Sequence, residues 1–262
     1  MVDASRLRLS WTTLLAVAIK SLFLEASWNL VGQQNIGYAA AVSPALQRFY
    51  HDRPEDLAEA RLRALRFFNT NPTFSGLVIG AALKLEENLA QGLIPERQAS
   101  LIVSSLASAL AAQGDLLFWQ AWLPFCALLG FGLTWLSLAT GSVTWAPLLI
   151  PILFCALAWP VRLGGIFYGY RLGPLVHQVV KRFYVSQIAQ WVKRLTVFLT
   201  GFLTIFALKT FSSANLAKEL AAVAVVTLIL FITLGQRLWP GLGSKAFYLL
   251  IVLGLALTTL VI

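Results

Sequence analysis

From Leu116 to Val161 the chain carries no charged residue. One bilayer crossing takes about 20 apolar residues, so this stretch is long enough for two. An isolated acid, Asp115, stands at its mouth in Gly114-Asp115-Leu116-Leu117-Phe118-Trp119. A carboxylate there is costly if lipid sees it, so it is expected to face protein, water or a ligand. These features set the class: an all-α integral membrane protein with a polar feature at the edge of its most apolar segment.

Composition agrees. Of 262 residues, 58% are hydrophobic and only 12% are charged, against about 25% in an average soluble domain. Nine Trp suit rings anchored at headgroup depth. The net charge of +9 is explained by basic cytoplasmic loops, and no basic patch interleaved with exposed aromatics calls for nucleic acid. The two Cys, Cys126 and Cys155, both sit in apolar runs and read as small core residues.

Near the N-terminus, Leu7, Trp11, Leu14, Ala18 and Leu22 recur as one stripe of an amphipathic helix. With Lys20 interrupting the apolar run and no small-x-small cleavage pattern, it reads as a retained helix lying in the interface. Asp52-Arg53-Pro54-Glu55-Asp56 reads as a helix start, with Asp52 as cap and Pro54 in the first turn. That helix is expected to run to Phe68, with Glu59 and Arg63 paired at i,i+4, and to stop at Asn69-Thr70-Asn71-Pro72.

Segment 98–114 is uncharged and rich in small residues, with Ser104, Ser108 and Ala112 at i,i+4. Such a row lets helices approach closely. The basic clusters Arg48–Arg66 and Lys181–Arg194 belong on the cytoplasmic side, so an even number of spans lies between them. Spans at 116–138 and 143–161, turned at Thr140-Gly141-Ser142, supply that pair, which leaves 98–114 re-entrant or packed inside. Three more spans fit, at 195–211, 219–236 and 246–262. The expected architecture is one membrane domain over 1–262. Its N-terminal amphipathic and cytoplasmic helices occupy 1–97, and membrane-embedded helices, about five of them transmembrane, occupy 98–262. The N-terminus is cytoplasmic and the C-terminus outside.

Catalytic chemistry is hard to find. The two His, His51 and His177, are far apart and belong to no triad. There is no phosphate-cradling Gly loop, no dinucleotide fingerprint and no metal-ligand spacing, so neither cofactor nor metal is called for. The polar groups left for a function are Trp28 and Asn29 after the first helix, Asn69 at the end of the cytoplasmic one, the pair Glu86 and Glu87, and Asp115. Capping or termination of helices explains several of them equally well.

In order, the chain shows Ser27-Trp28-Asn29, Gln34, Gly37-Tyr38, Pro44-Ala45-Leu46, Phe67-Phe68-Asn69-Thr70-Asn71-Pro72, Glu86-Glu87, Gly114-Asp115-Leu116-Leu117-Phe118-Trp119, Arg162 and Gly169-Tyr170-Arg171-Leu172-Gly173. This series resembles component IID of the mannose/fructose/sorbose family of the bacterial phosphoenolpyruvate-dependent sugar phosphotransferase system (PTS). The resemblance implies an inner-membrane subunit, itself not phosphorylated, that pairs with component IIC to translocate a mannose-type hexose, with phosphate delivered through IIA and IIB. It points to Trp28, Asn29, Gln34, Asn69, Glu86, Glu87, Asp115 and Trp119 as residues of the substrate path or the IIC contact. The chain departs from the family pattern at Leu30-Val31-Gly32, where an aromatic, Glu and Arg are usual. It departs again at Ala107-Ser108-Ala109-Leu110-Ala111-Ala112 and at Leu123 before Pro124. These losses motivate an alternative, a degenerate IID acting as a regulatory or scaffold subunit without transport.

Overall fold

The computed structural model describes residues 7–139, 141 and 145–211; the expected spans at 219–236 and 246–262 lie outside them. The chain divides into two compact units, Met1–Thr196 and Val197–Ile262, and the second is described only along its first helical residues. The described elements are helical: α1 (Trp11–Ser21), α2 (Asn35–Phe49), α3 (Pro54–Ala64), α4 (Ser75–Ala90), α5 (Glu96–Gly114), α6 (Leu123–Ala139), α7 (Leu149–Leu172), α8 (Val176–Arg182) and α9 (Val185–Phe211). A π-helical segment, Asp115–Trp122, joins α5 to α6.

Two backbones in near contact organise the first unit. A Cβ added to Gly76 would meet the Arg162 carbonyl oxygen at 1.8 Å, and one on Gly80 would meet that of Ile166 at 2.2 Å. From the other side, a Cβ on Gly169 would meet the Leu77 carbonyl oxygen at 2.4 Å. Gly76 and Gly80 on α4, and Gly165 and Gly169 on α7, are each spaced by four. Two small-xxx-small faces thus press together largely backbone to backbone, with the Leu77 side chain against Gly165. α4 is buried along almost its whole length, as the central helix of the unit must be.

The charge-free stretch forms the expected helical pair. Trp122 Nε1 donates to the Leu153 carbonyl at 3.3 Å, Phe118 meets Phe154 edge-on, and Gly141 takes the left-handed φ of 69° in the turn. Only 11% of the most apolar window of the run Ala146–Arg182 is buried inside the molecule. That apolar surface is unlike a soluble core helix and suits lipid.

Several local expectations are corrected. Residues 98–114 do not end before the apolar stretch; α5, the π segment and α6 form one unbroken helical run from Glu96 to Ala139. At 1.5 Å per residue that run is longer than a hydrocarbon core of about 30 Å, so part of it stands outside the lipid. Asp115 therefore caps nothing: it and Gly114 have helical dihedrals. Pro124 has no N–H to give the Gln120 carbonyl, which favours the wider π turn just before it. Ser104 and Ser108 are exposed on the wall of an open cleft rather than buried in a helix contact within the unit.

On α1 the buried stripe is Leu14, Val17, Ala18 and Ser21. Trp11 and Leu22 lie outside it, because the helix starts later than the periodicity suggested, at an N-cap where Ser10 accepts from the Thr13 N–H. The cap of α3 is Arg53, not Asp52, and α3 ends at Ala64. Arg63 turns inward to Glu86 instead of pairing with Glu59.

Gly80→Ala and Gly169→Ala should each destabilise the protein by about 3 kcal/mol, because the obstructing atoms are backbone and cannot rotate away. Gly164→Ala, where an added Cβ meets nothing within 4 Å, should leave the unfolding midpoint in detergent unchanged.

Candidate functional site

A ladder of contacts along α7 orders the polar groups by level. Leu9 N donates to the Tyr170 hydroxyl at 2.9 Å, Trp11 stacks on Phe167, and Arg162 donates to the Ser21 carbonyl at 2.6 Å. α1 thus runs beside α7 in the opposite direction, toward the charge-free stretch. α4 runs with α7, from Gly76 beside Arg162 to Lys84 beside Gly173. Two polar layers result, about 12 Å apart along α7 at the helical rise.

The first layer adjoins the charge-free pair. Gln34 bonds both backbone groups of Thr70, accepting from its N–H at 2.9 Å and donating to its carbonyl at 2.8 Å. Its amide also donates to Glu25 at 2.6 Å. A glutamine side chain here does the work of a neighbouring strand and ties α1, α2 and the Asn69–Pro72 segment together. Asn71 accepts from the Thr73 N–H and donates to Asp115 at 2.8 Å. Gly114 makes this possible, since any Cβ there would sit 2.4 Å from Asn71 Cβ. The Asn-x-Pro and Gly-Asp motifs are therefore two halves of one contact. Phe118 packs edge-on against Phe74 beneath it.

Asn29 organises the adjoining loop. Its carbonyl oxygen accepts from the N–H groups of Val31 and Gly32, and its amide donates to Asn35 at 2.9 Å. Backbone bonds between Asn29 and Gln33 close the turn, with Gln33 held at φ 58°.

The second layer holds the acid pair, split to opposite sides of α4. Glu86 accepts from Arg63 at 2.7 Å and from the Tyr50 hydroxyl at 2.8 Å, and Arg63 and Arg66 also reach Glu96. Burial first, then the charge of Glu86, pushes the Tyr50 hydroxyl above its ordinary range, so it stays a donor at physiological pH. Burial works against the charge of Arg63, but its hydrogen bond and charge pairing with Glu86 outweigh this and raise it. Glu87 is buried on the other side, accepting from the Tyr170 hydroxyl and from Lys84.

Of the residues singled out in the sequence, Asn29, Gln34 and Asp115 fall in or beside the first layer. Glu86 and Glu87 fall in the second. Asn69 is exposed and, with Glu86, lines a cleft of about 670 Å³ between α2, α3, α4 and α5. Trp28 is exposed on the Asn29 loop, and Trp119 stacks on Phe154 at 5.8 Å. These residues do not form one pocket. Arg63, Tyr50 and Tyr170, which orient the two glutamates, were not singled out as site residues. Arg162 had a usable signal, as the first charge after the apolar stretch.

Glu86→Gln should cost about 3 kcal/mol of stability, since it leaves the half-buried Arg63 short of its main partner. Asp115→Ala should cost about 1–2 kcal/mol through the lost bond to Asn71. Both are measurable as shifts in detergent unfolding, with Glu59→Gln on the exposed face of α3 as an unshifted control.

Over residues 8–260 the chain matches the family model described as the PTS system mannose/fructose/sorbose family IID component. It is 33% identical over 178 residues to the PTS system mannose-specific EIID component of Escherichia coli (strain K12), covering 66% of this chain and 61% of that one. To the fructose permease IID component of Bacillus subtilis (strain 168) it is 29% identical over 195 residues, covering 74% and 69%. The chain thus spans about three fifths of the length of the mannose-specific relative. Among solved structures, it is similar to the mannose transporter ManYZ in complex with microcin E492, with a TM-score of 0.58, 30% identity, and 75% and 70% of the two chains covered. A second solved membrane protein matches with a TM-score of 0.66 and 28% identity over 75% of this chain and 71% of that one. The chain belongs to the mannose/fructose/sorbose family of the phosphotransferase system, as a membrane-protein IID component.

Proposed function

We propose that this chain is the IID subunit of a phosphoenolpyruvate-dependent sugar permease. It forms with component IIC the translocation unit for a mannose-type hexose, and IIA and IIB deliver the phosphate. The observation that carries the reading is the first polar layer. Family motifs far apart in sequence meet there, Asn71 on Asp115 and Gln34 on Thr70, at the edge of the charge-free helical pair. Amides and carboxylates held by such bonds are suited to exchange hydroxyl partners with a sugar, and half-exposed Trp28 and Trp119 offer flat apolar faces to its ring. In this reading Asn29, Gln34, Asn69, Asp115, Glu86 and Glu87 line the path or support the IIC contact.

The whole chain acts as one membrane domain in the bacterial cytoplasmic membrane. The second polar layer faces the cytoplasm together with the basic residues of α3 and α8, the N-terminus is cytoplasmic and the C-terminus outside. The phosphoryl group never resides on this subunit; its part is to position and admit the sugar.

Asp115→Ala, co-expressed with its IIC, IIA and IIB partners, should lower phosphoenolpyruvate-driven hexose uptake about tenfold, the equivalent of about 1.4 kcal/mol lost in the translocating complex. Co-purification of IIC with the variant confirms assembly. Unchanged uptake would remove Asp115 from the path, and no uptake by the assembled parent complex would overturn the transport reading itself.

A further inference from the structure

The open cleft between α2, α3, α4 and α5 is graded from one end to the other. Its volume of about 670 Å³ is inside the range of about 300–1,000 Å³ found for ligand pockets. Every charge that lines it gathers at one end, in the second polar layer: Arg63, Arg66 and Arg97 with Glu86 and Glu96. Away from that end α5 contributes Ser100, Val103, Ser104, Ala107 and Ser108, and α2 contributes Leu46, Val42 and Tyr38. None of these is charged. Both helices carry the lining toward the first layer, where α5 reaches Asn71 and α2 begins after Gln34. On the rim Phe67 is 69% exposed and Leu101 60%, so the chain's own side chains do not seal the uncharged part.

The charged end is not balanced. Three arginines meet two carboxylates there. Glu86 is held by Arg63 and Tyr50, and Glu96 divides its oxygens between Arg63 and Arg66. Arg97 is exposed and, among the described residues, has no ion pair. The Arg63 Nε–H is buried with no acceptor. One positive charge and one buried donor are thus left over, which is the complement of a singly charged phosphodiester. A partner helix would suit the small residues of α5, but gives no reason for a lining that passes from charged to apolar in one direction.

That direction is the one a phospholipid takes in a leaflet. With the second layer at the cytoplasmic face and the first at the edge of the apolar pair, the arginines stand at headgroup depth. The uncharged walls then lead toward the acyl chains. Basic pockets between helices on the cytoplasmic side suit anionic headgroups. We propose that this cleft binds an anionic phospholipid of the cytoplasmic leaflet, its phosphodiester at Arg97 and Arg66 and an acyl chain passing Phe67 and Val103. Glu86 stays with Arg63 and Tyr50, and Asn69 is not used, so the site takes nothing from the groups assigned to the sugar path. A zwitterionic lipid fits less well, because its ammonium group meets the unpaired arginine. α3 and α5 are already joined by the ion pairs of Glu96, and the bound lipid adds a second tie between them. The site rests on the membrane placement proposed above, with the second layer cytoplasmic, and not on sugar transport.

The test is photolabelling of the assembled complex with IIC in phosphatidylethanolamine–phosphatidylglycerol vesicles. Each lipid in turn carries a diazirine on its acyl chain, and labelled peptides are mapped by mass spectrometry. The phosphatidylglycerol probe should label Phe67 and residues 100–108 about fivefold more than the phosphatidylethanolamine probe, the preference a single basic residue gives for an anionic headgroup. Arg97→Gln should erase that preference, while both probes label Phe131 in the apolar pair equally. Equal labelling of the parent cleft by the two probes would overturn the anionic site. So would cleft peptides that take no label from either probe, the result expected if a IIC helix lies there. Displacement of the phosphatidylglycerol probe by inorganic phosphate would assign the charged end to a soluble anion and remove the lipid. Absence of label at Phe131 as well would overturn the membrane placement on which the site depends. If Arg97→Gln fails to assemble, the comparison of the two probes on the parent complex still decides.

Discussion

Everything in the first unit is hung on the glycine contact between α4 and α7. With Gly76, Gly80, Gly165 and Gly169 presenting no side chain of their own to the seam, the two backbones come into direct contact. Lipid gives no hydrophobic push between helices, so dense packing must supply the attraction. The seam also acts as a ruler. Because α4 is locked in register with α7, Asn71 at its start, Lys84 near its middle and Glu86 and Glu87 beyond are held at defined heights against Arg162 and Tyr170. A slip of one turn would move Asn71 by about 5 Å from Asp115 and part the two family motifs.

The polar groups are arranged so that each buried charge has a named partner before any substrate or subunit arrives. Glu86 is met by Arg63 and Tyr50, and Glu87 by Lys84 and Tyr170. This layer is therefore stiff, and suits a base from which other parts move. The first layer is built differently: its bonds are between amides, carbonyls and single carboxylates. Such bonds are worth about 1 kcal/mol each and can be exchanged. The contrast supports placing substrate contact in the first layer and structural support in the second.

Much of this was legible in the sequence. The charge-free stretch gave its two helices, their turn near Gly141 and their lipid-suited surface, because a long uncharged run has few other folds open to it. The motif order gave the family, and Asn29, Gln34 and Asp115 do sit in or beside one layer. What was not legible depends on contacts across the chain. Glycines at i,i+4 occur in both α4 and α7, but nothing local says that the two pairs face each other. Arg63 sits at the right spacing for Glu59, and only the packing of α3 on α4 turns it inward. Asp115 looked like a cap because an acid before an apolar run often is one. The helical stretch before it had to be seen to show that no helix starts there.

The π segment between α5 and α6 sets the phase of everything after it. A π turn is what remains when a helix absorbs one extra residue, and each such residue turns the downstream helix by about 100° relative to the upstream one. Gly114 and Asp115 look toward Asn71, and one turn on Phe118 looks toward Phe154. Rewind the same eight residues as α-helix with none removed, and the downstream face turns by about 100°, so both faces cannot be kept. The rod is a mechanical splice between a half fitted to protein and a half fitted to lipid, and its phase is set by winding: in Asp115–Trp122, tightening the turn is a rotation before it is a change of length.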